Sequence, residues 1–153
     1  MDVTLYCHAC LEGMGFWLPD NCVGYYSPVP ESTAQEQIFY FEALCVLSAI
    51  HHVMEVLCVP PSSRMLIYTD NDNTVAIFNT LRCLPTYNPI LIDAANVAIK
   101  SGIHFRTLHI PGDLNFVADD ISHKKFELAQ QYVPNIVISS FLPPRLLLGA
   151  SKK

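Results

Sequence analysis

Glu42 is an acidic residue in a stretch whose other residues are mostly apolar. At the three- and four-residue spacing of a helix, its neighbours are Ile38, Phe39, Cys45 and Val46. A carboxylate within an apolar stripe costs several kcal/mol when charged and unpaired, or its pKa shifts until the group is neutral. The alternative is a glutamate at the edge of the stripe that reaches solvent or pairs with an arginine.

Asp70 follows the apolar run MLIY, one residue after its end, at the C-terminal end of a predicted strand. Sheets of the α/β class place their ligands beyond the carboxyl ends of their strands. The alternative is a turn residue or the N-cap of a helix beginning near Thr74, a role that Asp72 or Asn73 would fill equally well. The sequence leaves both interpretations of Asp70 open.

Asp119 lies in the segment NFVADDIS, early in another predicted helix. Acidic residues in a first turn suit the helix dipole, which by itself explains one aspartate. Because Asp120 follows, one of the two can serve the dipole while the other faces the sheet. Three carboxylates from three separate elements at one end of a sheet would bind divalent metal ions through oxygen ligands.

The N-terminal motif CHAC, residues 7–10, resembles at first sight a redox or zinc motif. A redox Cys-x-x-Cys places its first cysteine at a helix N-terminus, whereas here a turn and a second strand follow. A structural zinc ion needs four ligands, and apart from His51-His52 no further pair stands at short spacing. We therefore expect Cys7 and Cys10 to be reduced and to hold no structural metal, because adjacent strand and turn positions cannot present both to one ion without further ligands.

Composition limits the classes of protein that this chain can belong to. Of its 153 residues 51% are hydrophobic and 15% are charged, which argues against extensive disorder. The net charge of −5 argues against a strong stand-alone nucleic-acid binder, because phosphate contacts need clustered Lys and Arg. It leaves room for an enzyme that meets phosphates through bound cations.

Cysteine usage and hydropathy indicate where the protein resides. The six cysteines lie mostly inside apolar segments, as reduced thiols of an intracellular protein do. No apolar run reaches the roughly 18 residues of a membrane span, and the N-terminus lacks the basic region of a signal peptide. We expect an intracellular protein, in the cytoplasm or nucleus, that does not associate with a membrane.

The periodicity of apolar residues predicts one α/β domain over residues 1–133. Strands over residues 2–7, 13–18 and 22–27 form an antiparallel meander, and further strands are expected over 65–69 and 103–110. Helices are predicted over residues 32–59, 74–81, 88–100 and 115–132. The result is a mixed five-stranded sheet flanked by helices. Residues 134–153, with a proline pair and a basic end, are predicted to be a C-terminal tail or linker.

This order of elements resembles the ribonuclease H-like fold. Glu42 in FEAL looks like the first-helix glutamate of that fold, and Asp70 in YTDN like its fourth-strand aspartate. His109-Ile110-Pro111-Gly112 followed by NFVADDIS is similar to the signature HxPGxxNxxADxLS of ribonuclease H domains that follow reverse transcriptase in retrotransposon polyproteins. The terminal segments FLPPR and LGA are similar to those of such elements in fungi.

The resemblance implies metal-dependent hydrolysis of the RNA strand of RNA–DNA hybrids. It implies two Mg²⁺ or Mn²⁺ ions, a nucleic-acid partner and a place in a larger polyprotein. The first strand of that family ends in Thr-Asp-Ala-Ser, so His8 stands where the family has its metal-bridging aspartate. Catalytic and metal-binding roles are thereby predicted for Glu42, Asp70, Asp119 and His8, and activity is expected to be impaired. The alternative is a catalytically inactive nucleic-acid-binding or scaffold domain.

Three further side chains are candidates of lower rank. His109 is a candidate for proton transfer, although a lone histidine on an apolar strand is more often structural. His123 and Asp120 are weaker candidates still.

Overall fold

The computed structural model describes residues 2–30, 37–80 and 88–144 and contains one mixed sheet covered by helices. Strands β1 (Asp2–Ala9), β2 (Gly13–Leu18) and β3 (Val23–Pro28) form the predicted antiparallel meander. Strands β4 (Arg64–Thr69) and β5 (His104–His109) extend the sheet in parallel beyond β1. The α/β fold class is confirmed.

The first three helices form one core with the sheet: the first packs on β1 and β2, the second on β5, and the third on the first helix. They are α1 (Gln37–Val56), α2 (Asp72–Thr80) and α3 (Asn88–Ser101). Because side chains alternate along a strand, Leu5 and Cys7 of β1 and Phe16 of β2 point into the main core together with the apolar face of α1. The predicted start of this first helix, residues 32–36, lies outside the described residues, as does residue 81 at the end of the second.

Helix α1 is apolar enough to meet the length and composition of a membrane span. The stretch Ile38–Val56 has a mean hydropathy of 1.3, contrary to our expectation that no run is long enough. In the structure 61% of this window is buried, and the helix packs on β1, β2 and α3. Its hydrophobicity is that of a core helix, which packs on several partners at once.

The predicted helix over residues 115–132 is two short helices in the structure. Helix α4 (Phe116–Ser122) and helix α5 (Phe126–Tyr132) are separated at Lys124, whose φ of 62° is incompatible with a continuing right-handed helix. Helices α4 and α5 form a second, smaller core on the opposite face of the sheet, where Trp17 and Tyr26 pack against them.

The sheet has six strands rather than the five predicted, because the segment predicted as a tail contributes one. Strand β6 (Val137–Ser140) pairs in parallel with β3, which gives the order β5-β4-β1-β2-β3-β6. The sequence pattern did not predict this edge strand, because its apolar stretch is short and a proline pair follows it. The ordered fold therefore runs past residue 133 at least to the end of the described region at residue 144.

The segment after β6 is expected to contribute to stability through one aromatic ring. Phe141 is 6% exposed and its ring centroid lies 5.0 Å from that of Phe16, whereas the adjacent Leu142 is 92% exposed. Phe141→Ala should lower the free energy of unfolding by about 3 kcal/mol, the usual cost of deleting a buried aromatic ring. Urea denaturation measures this loss, and Leu142→Ala is the matched control, expected to be neutral. Equal effects of the two changes would contradict the packing described.

Candidate active site

Glu42 is buried, as its place in the apolar stripe of α1 predicts, and only 4% of it is exposed. The hydroxyl of Thr69 donates to its Oε1 over 3.4 Å, and the backbone N–H of Ala9 donates to the carboxylate as well. Burial raises the pKa of Glu42 from 4.5 to about 7 despite these donors and the nearby His8. The alternative of a solvent-reaching or arginine-paired glutamate does not hold.

Asp70 follows β4 directly and is free of the capping role that the sequence left open. Asn71 performs that role, since its Oδ1 accepts the backbone N–H of Thr74 over 2.9 Å at the start of α2. The side chain of Asp70 faces His8, whose adjacent imidazole lowers the pKa of this carboxyl group. Gly112 also lies close, because a Cβ built there would be 3.2 Å from Asp70 Oδ2.

Asp119 reaches the site because α4 packs unusually close to the sheet. A Cβ on Gly15 would lie 2.8 Å from the backbone nitrogen of Ser122, so only glycine admits the helix here. The amide of Asn115, just before α4, donates to the carbonyl oxygen of Cys7 over 2.8 Å and ties the helix to the end of β1. In the sequence Asn115 stood out only as part of a signature. In the structure it is buried, and its amide makes it a positioning residue.

The imidazole of His8 lies between the three carboxylates. Its Nδ1 is 3.4 Å from Asp70 Oδ1 and 4.0 Å from Glu42 Oε2, and its Nε2 is 3.0 Å from Asp119 Oδ1. Burial by itself lowers the pKa of His8, but the contact with Asp70 and the charges of all three carboxylates raise it overall. The four predicted site residues therefore converge, with the imidazole of His8 at the centre.

The donor set fits one divalent ion on the Nδ1 side of His8. Ligand atoms of His8, Glu42 and Asp70 lie within 4.8 Å of one another. His8 Nδ1 is buried and makes no well-formed hydrogen bond with any of the described residues, as expected of an atom that faces a ligand position. Asp119 stands across the ring on the Nε2 side, so the imidazole separates it from the other two carboxylates. A mixed nitrogen and oxygen set suits Mn²⁺ or Zn²⁺ better than Mg²⁺.

The candidates of lower rank lie around this centre. His109 ends β5 beside Thr69, and its Nε2 is 3.5 Å from the exposed Asp72, so its imidazole is open to solvent. Asp120 is buried, its Oδ2 has no hydrogen-bond partner within the described part of the chain, and burial raises the pKa of its carboxyl group. His123 contacts Asp119 Oδ1 through Nδ1 over 3.2 Å.

The two cysteines of the CHAC motif point to different faces of the sheet. Cys7 is fully buried beside Cys45 under α1, and burial raises the pKa of its thiol, which makes it a poor nucleophile. Cys10 Sγ lies 3.6 Å from the carbonyl oxygen of Ser122 on the α4 side. The described cysteines are free thiols, and Cys83 lies outside the described residues. One ion cannot be shared by Cys7 and Cys10.

Comparison of folds places this architecture among known structures. The chain is similar to LC11-RNase H1 in complex with an RNA/DNA hybrid, with a TM-score of 0.66, 15% identity, and coverage of 83% of this chain and 98% of that one. It is also similar to RNase H1 from the halophilic archaeon Halobacterium salinarum NRC-1, with a TM-score of 0.63, 11% identity, and coverage of 84% and 100%.

A third similar structure is that of a viral protein. The foamy viral protease-reverse transcriptase in complex with an RNA/DNA hybrid matches with a TM-score of 0.52 and 15% identity, over 80% of this chain and 19% of that one. No protein-family profile matches the chain. No curated protein sequence matches it either. The similarities are therefore those of fold, and the chain has the ribonuclease H fold.

Proposed function

We propose that this chain is a ribonuclease H-type nuclease domain that hydrolyses the RNA strand of RNA–DNA hybrids with impaired use of Mg²⁺. The single observation that carries the proposal is the convergence of Glu42, Asp70 and Asp119 on His8 within 3.0 to 4.0 Å. Neighbouring carboxylates repel one another, and an arrangement that holds them together is typical of a site that serves a cation. The solved structures of RNase H1 and of the foamy viral enzyme with RNA/DNA hybrids support the choice of substrate.

The impairment follows from the chemistry of His8. When bound, divalent ions would activate a water molecule and stabilise the leaving oxygen of a phosphodiester. Glu42 and Asp70 would supply oxygen ligands and His8 a nitrogen ligand, while Asp119 would complete the negative charge around the site. A neutral imidazole brings no negative charge, and its protonated form repels cations, so His8 must lose its proton before an ion binds. Mn²⁺ tolerates the nitrogen ligand better than Mg²⁺ does.

The retroelement origin is the finer part of this proposal. It rests on the signature around Pro111, Asn115 and Asp119, and on the similarity to part of a protease-reverse transcriptase chain. The domain would then belong to a larger polyprotein, in which neighbouring domains could supply the basic surface that a chain of net charge −5 lacks. An intracellular location, in the cytoplasm or nucleus, is part of the same proposal because the hybrid is formed there.

A second candidate function is favoured by the placement of the His8 ring. The imidazole occupies the position between the three carboxylates, and their charges favour its protonated form, which would offset part of their negative charge without any metal. Such a site would support a catalytically inactive nucleic-acid-binding or scaffold domain. The two functions share the fold and differ in whether the phosphodiester is cleaved.

Cleavage of an end-labelled RNA–DNA hybrid with Mn²⁺ and with Mg²⁺ distinguishes the two functions. We expect slow cleavage of the RNA strand with Mn²⁺, still slower cleavage with Mg²⁺, and loss of both in Asp70→Asn. The matched control is Asp20→Asn, which should cleave like the wild type, because Asp20 is exposed and follows the end of β2 that is remote from the site. Binding of the hybrid without any cleavage would favour the scaffold function. Cleavage that survives Asp70→Asn would contradict the catalytic and the metal-binding role assigned to Asp70.

A further inference from the structure

A second group of potential metal ligands lies on the α4 side of the sheet, next to the candidate active site. One ligand atom each of Cys10, Glu12 and His123 lies within 4.8 Å of the others. Cys10 and His123 are partly buried, whereas Glu12 is exposed. The three residues come from the turn between β1 and β2 and from the C-terminal end of α4, so no sequence motif announces them.

The contact between this turn and α4 holds the group together. The backbone N–H of Cys10 donates to the carbonyl oxygen of Gly13 over 2.9 Å and closes the turn. A Cβ on Gly13 would lie 2.6 Å from the carbonyl oxygen of Ser122, so the absence of a side chain lets the turn approach the helix end. Cys10 Sγ then lies 3.6 Å from the same carbonyl oxygen, directly beside His123.

The ring of His123 is oriented in the way that metal-binding histidines usually are. Its Nδ1 lies 3.0 Å from the carbonyl oxygen of Asp119 and therefore carries the proton that is donated to it. This contact selects the tautomer in which Nε2 holds a lone pair, and a backbone carbonyl is a common outer partner of a histidine ligand.

We propose that Cys10, Glu12 and His123 form a metal site for Zn²⁺ or a similar borderline transition metal, separate from the carboxylate site around His8. One thiolate, one imidazole and one carboxylate, with a water molecule in the fourth position, are a donor set that zinc accepts in tetrahedral geometry. Mg²⁺ is excluded as the preferred ion because it disfavours sulfur ligands. This inference does not depend on the proposed nuclease function. Glu12 and His123 are the further ligands beside Cys10 that the sequence did not reveal, and Cys7 is not part of the site.

The two sites meet at Asp119. Its Oδ1 is 3.0 Å from His8 Nε2 and 3.2 Å from His123 Nδ1, so it lies between the two imidazoles. An ion held by His123 would strengthen the donation from Nδ1 and thereby fix the position of the Asp119 main chain and side chain. Asp119 thus belongs to the carboxylate site around His8 and is a positioning residue for the second site.

Titration of the reduced full chain with Co²⁺, followed by displacement with Zn²⁺, tests the proposal. We expect one equivalent of Co²⁺ to give a thiolate-to-cobalt charge-transfer band that Zn²⁺ abolishes. Cys10→Ser should remove the band and weaken Zn²⁺ binding by at least about 100-fold, since loss of an outer partner alone costs about 10- to 100-fold. Glu12→Gln, a change on the exposed turn that leaves the core untouched, should weaken binding by about tenfold or more.

Two control variants separate this site from other thiols and from the carboxylates. Cys58→Ser removes an exposed cysteine after α1 and should leave the band and the affinity unchanged. Asp70→Asn should leave the band unchanged as well, because Asp70 belongs to the other site. The proposal would be overturned if the band survived Cys10→Ser, or if it disappeared in Cys58→Ser or Asp70→Asn. It would also be overturned if Glu12→Gln left the affinity for Zn²⁺ unchanged. Circular dichroism verifies that each variant is folded.

Discussion

With Mg²⁺ as the only divalent ion, His8→Asp should cleave an RNA–DNA hybrid on the order of 100-fold faster than the wild type or more. This magnitude is that of regaining one electrostatic stabiliser at a reacting centre. The aspartate restores a negative charge at the position from which the imidazole now contacts Asp70 through Nδ1 and Asp119 through Nε2. Its two oxygens would bring negative charge to the Asp70 side and to the Asp119 side of the site, as a pair of divalent ions requires.

The gain should depend on charge rather than on the smaller size of the new side chain. His8→Asn, which has the shape of aspartate without the charge, should gain little activity with Mg²⁺. The double variant His8→Asp with Asp70→Asn should lose the gain altogether, because residues of one metal site act as a unit. Isothermal titration calorimetry with Mg²⁺ accompanies the cleavage assay and reports how many ions bind.

Two results would contradict the role assigned to His8. Wild-type cleavage already as fast as that of His8→Asp would mean that the imidazole is no handicap. A His8→Asp variant that binds two ions and stays inert would place the defect elsewhere, for which the sparse basic surface of a chain with nine Lys and Arg residues is the first candidate.

Glu42→Gln is expected to stabilise the metal-free protein above neutral pH while abolishing any nuclease activity. Burial raises the pKa of Glu42 from 4.5 to about 7, and that shift corresponds to about 3 kcal/mol of destabilisation once the group is ionised. The amide keeps the shape of the side chain and one of its two acceptor oxygens. Near pH 8 the variant should therefore unfold at a higher urea concentration than the wild type. Its free energy of unfolding should be higher by about 3 kcal/mol.

The pH dependence has a definite sign. Between pH 4.5 and 7 the folded state keeps the proton of Glu42 while the unfolded state has lost it, so stability falls as pH rises through this window. His8 acts in the same direction, since its raised pKa gives stability that is present below 6.5 and is lost as pH rises through the folded value. Wild-type stability should thus decrease from pH 5 to pH 8, and in Glu42→Gln the decrease should be smaller.

Urea denaturation in the presence of a chelator at several pH values measures both effects. Glu55→Gln on the same helix is the matched control, because Glu55 is exposed and its replacement should change stability by less than about 0.5 kcal/mol. A Glu42→Gln variant with the pH slope and the stability of the wild type would show that the buried carboxylate is not strained.

The sequence alone determined the α/β fold class and the identity of the four central side chains. Period-two alternation in β1 to β3 and the helical stripe of α1 are local patterns, and each local choice agreed with the final packing. Glu42 stood out because a carboxylate in an apolar stripe needs a partner. Asp70 and Asp119 became candidates for the site because their order along the chain resembles that of the ribonuclease H-like fold. This resemblance predicted that they converge with His8.

Other features depended on tertiary contacts between residues distant in sequence. Strand β6 is short and exposed on most of its positions, so only pairing with β3 makes it a strand. The break at Lys124 requires a positive φ that no glycine signalled. The position of the His8 ring between Asp70 and Asp119, and the meeting of Cys10 with His123, follow from how closely α4 can approach Gly13 and Gly15. Such distances are set by packing across the sheet, and a linear pattern carries no information about them.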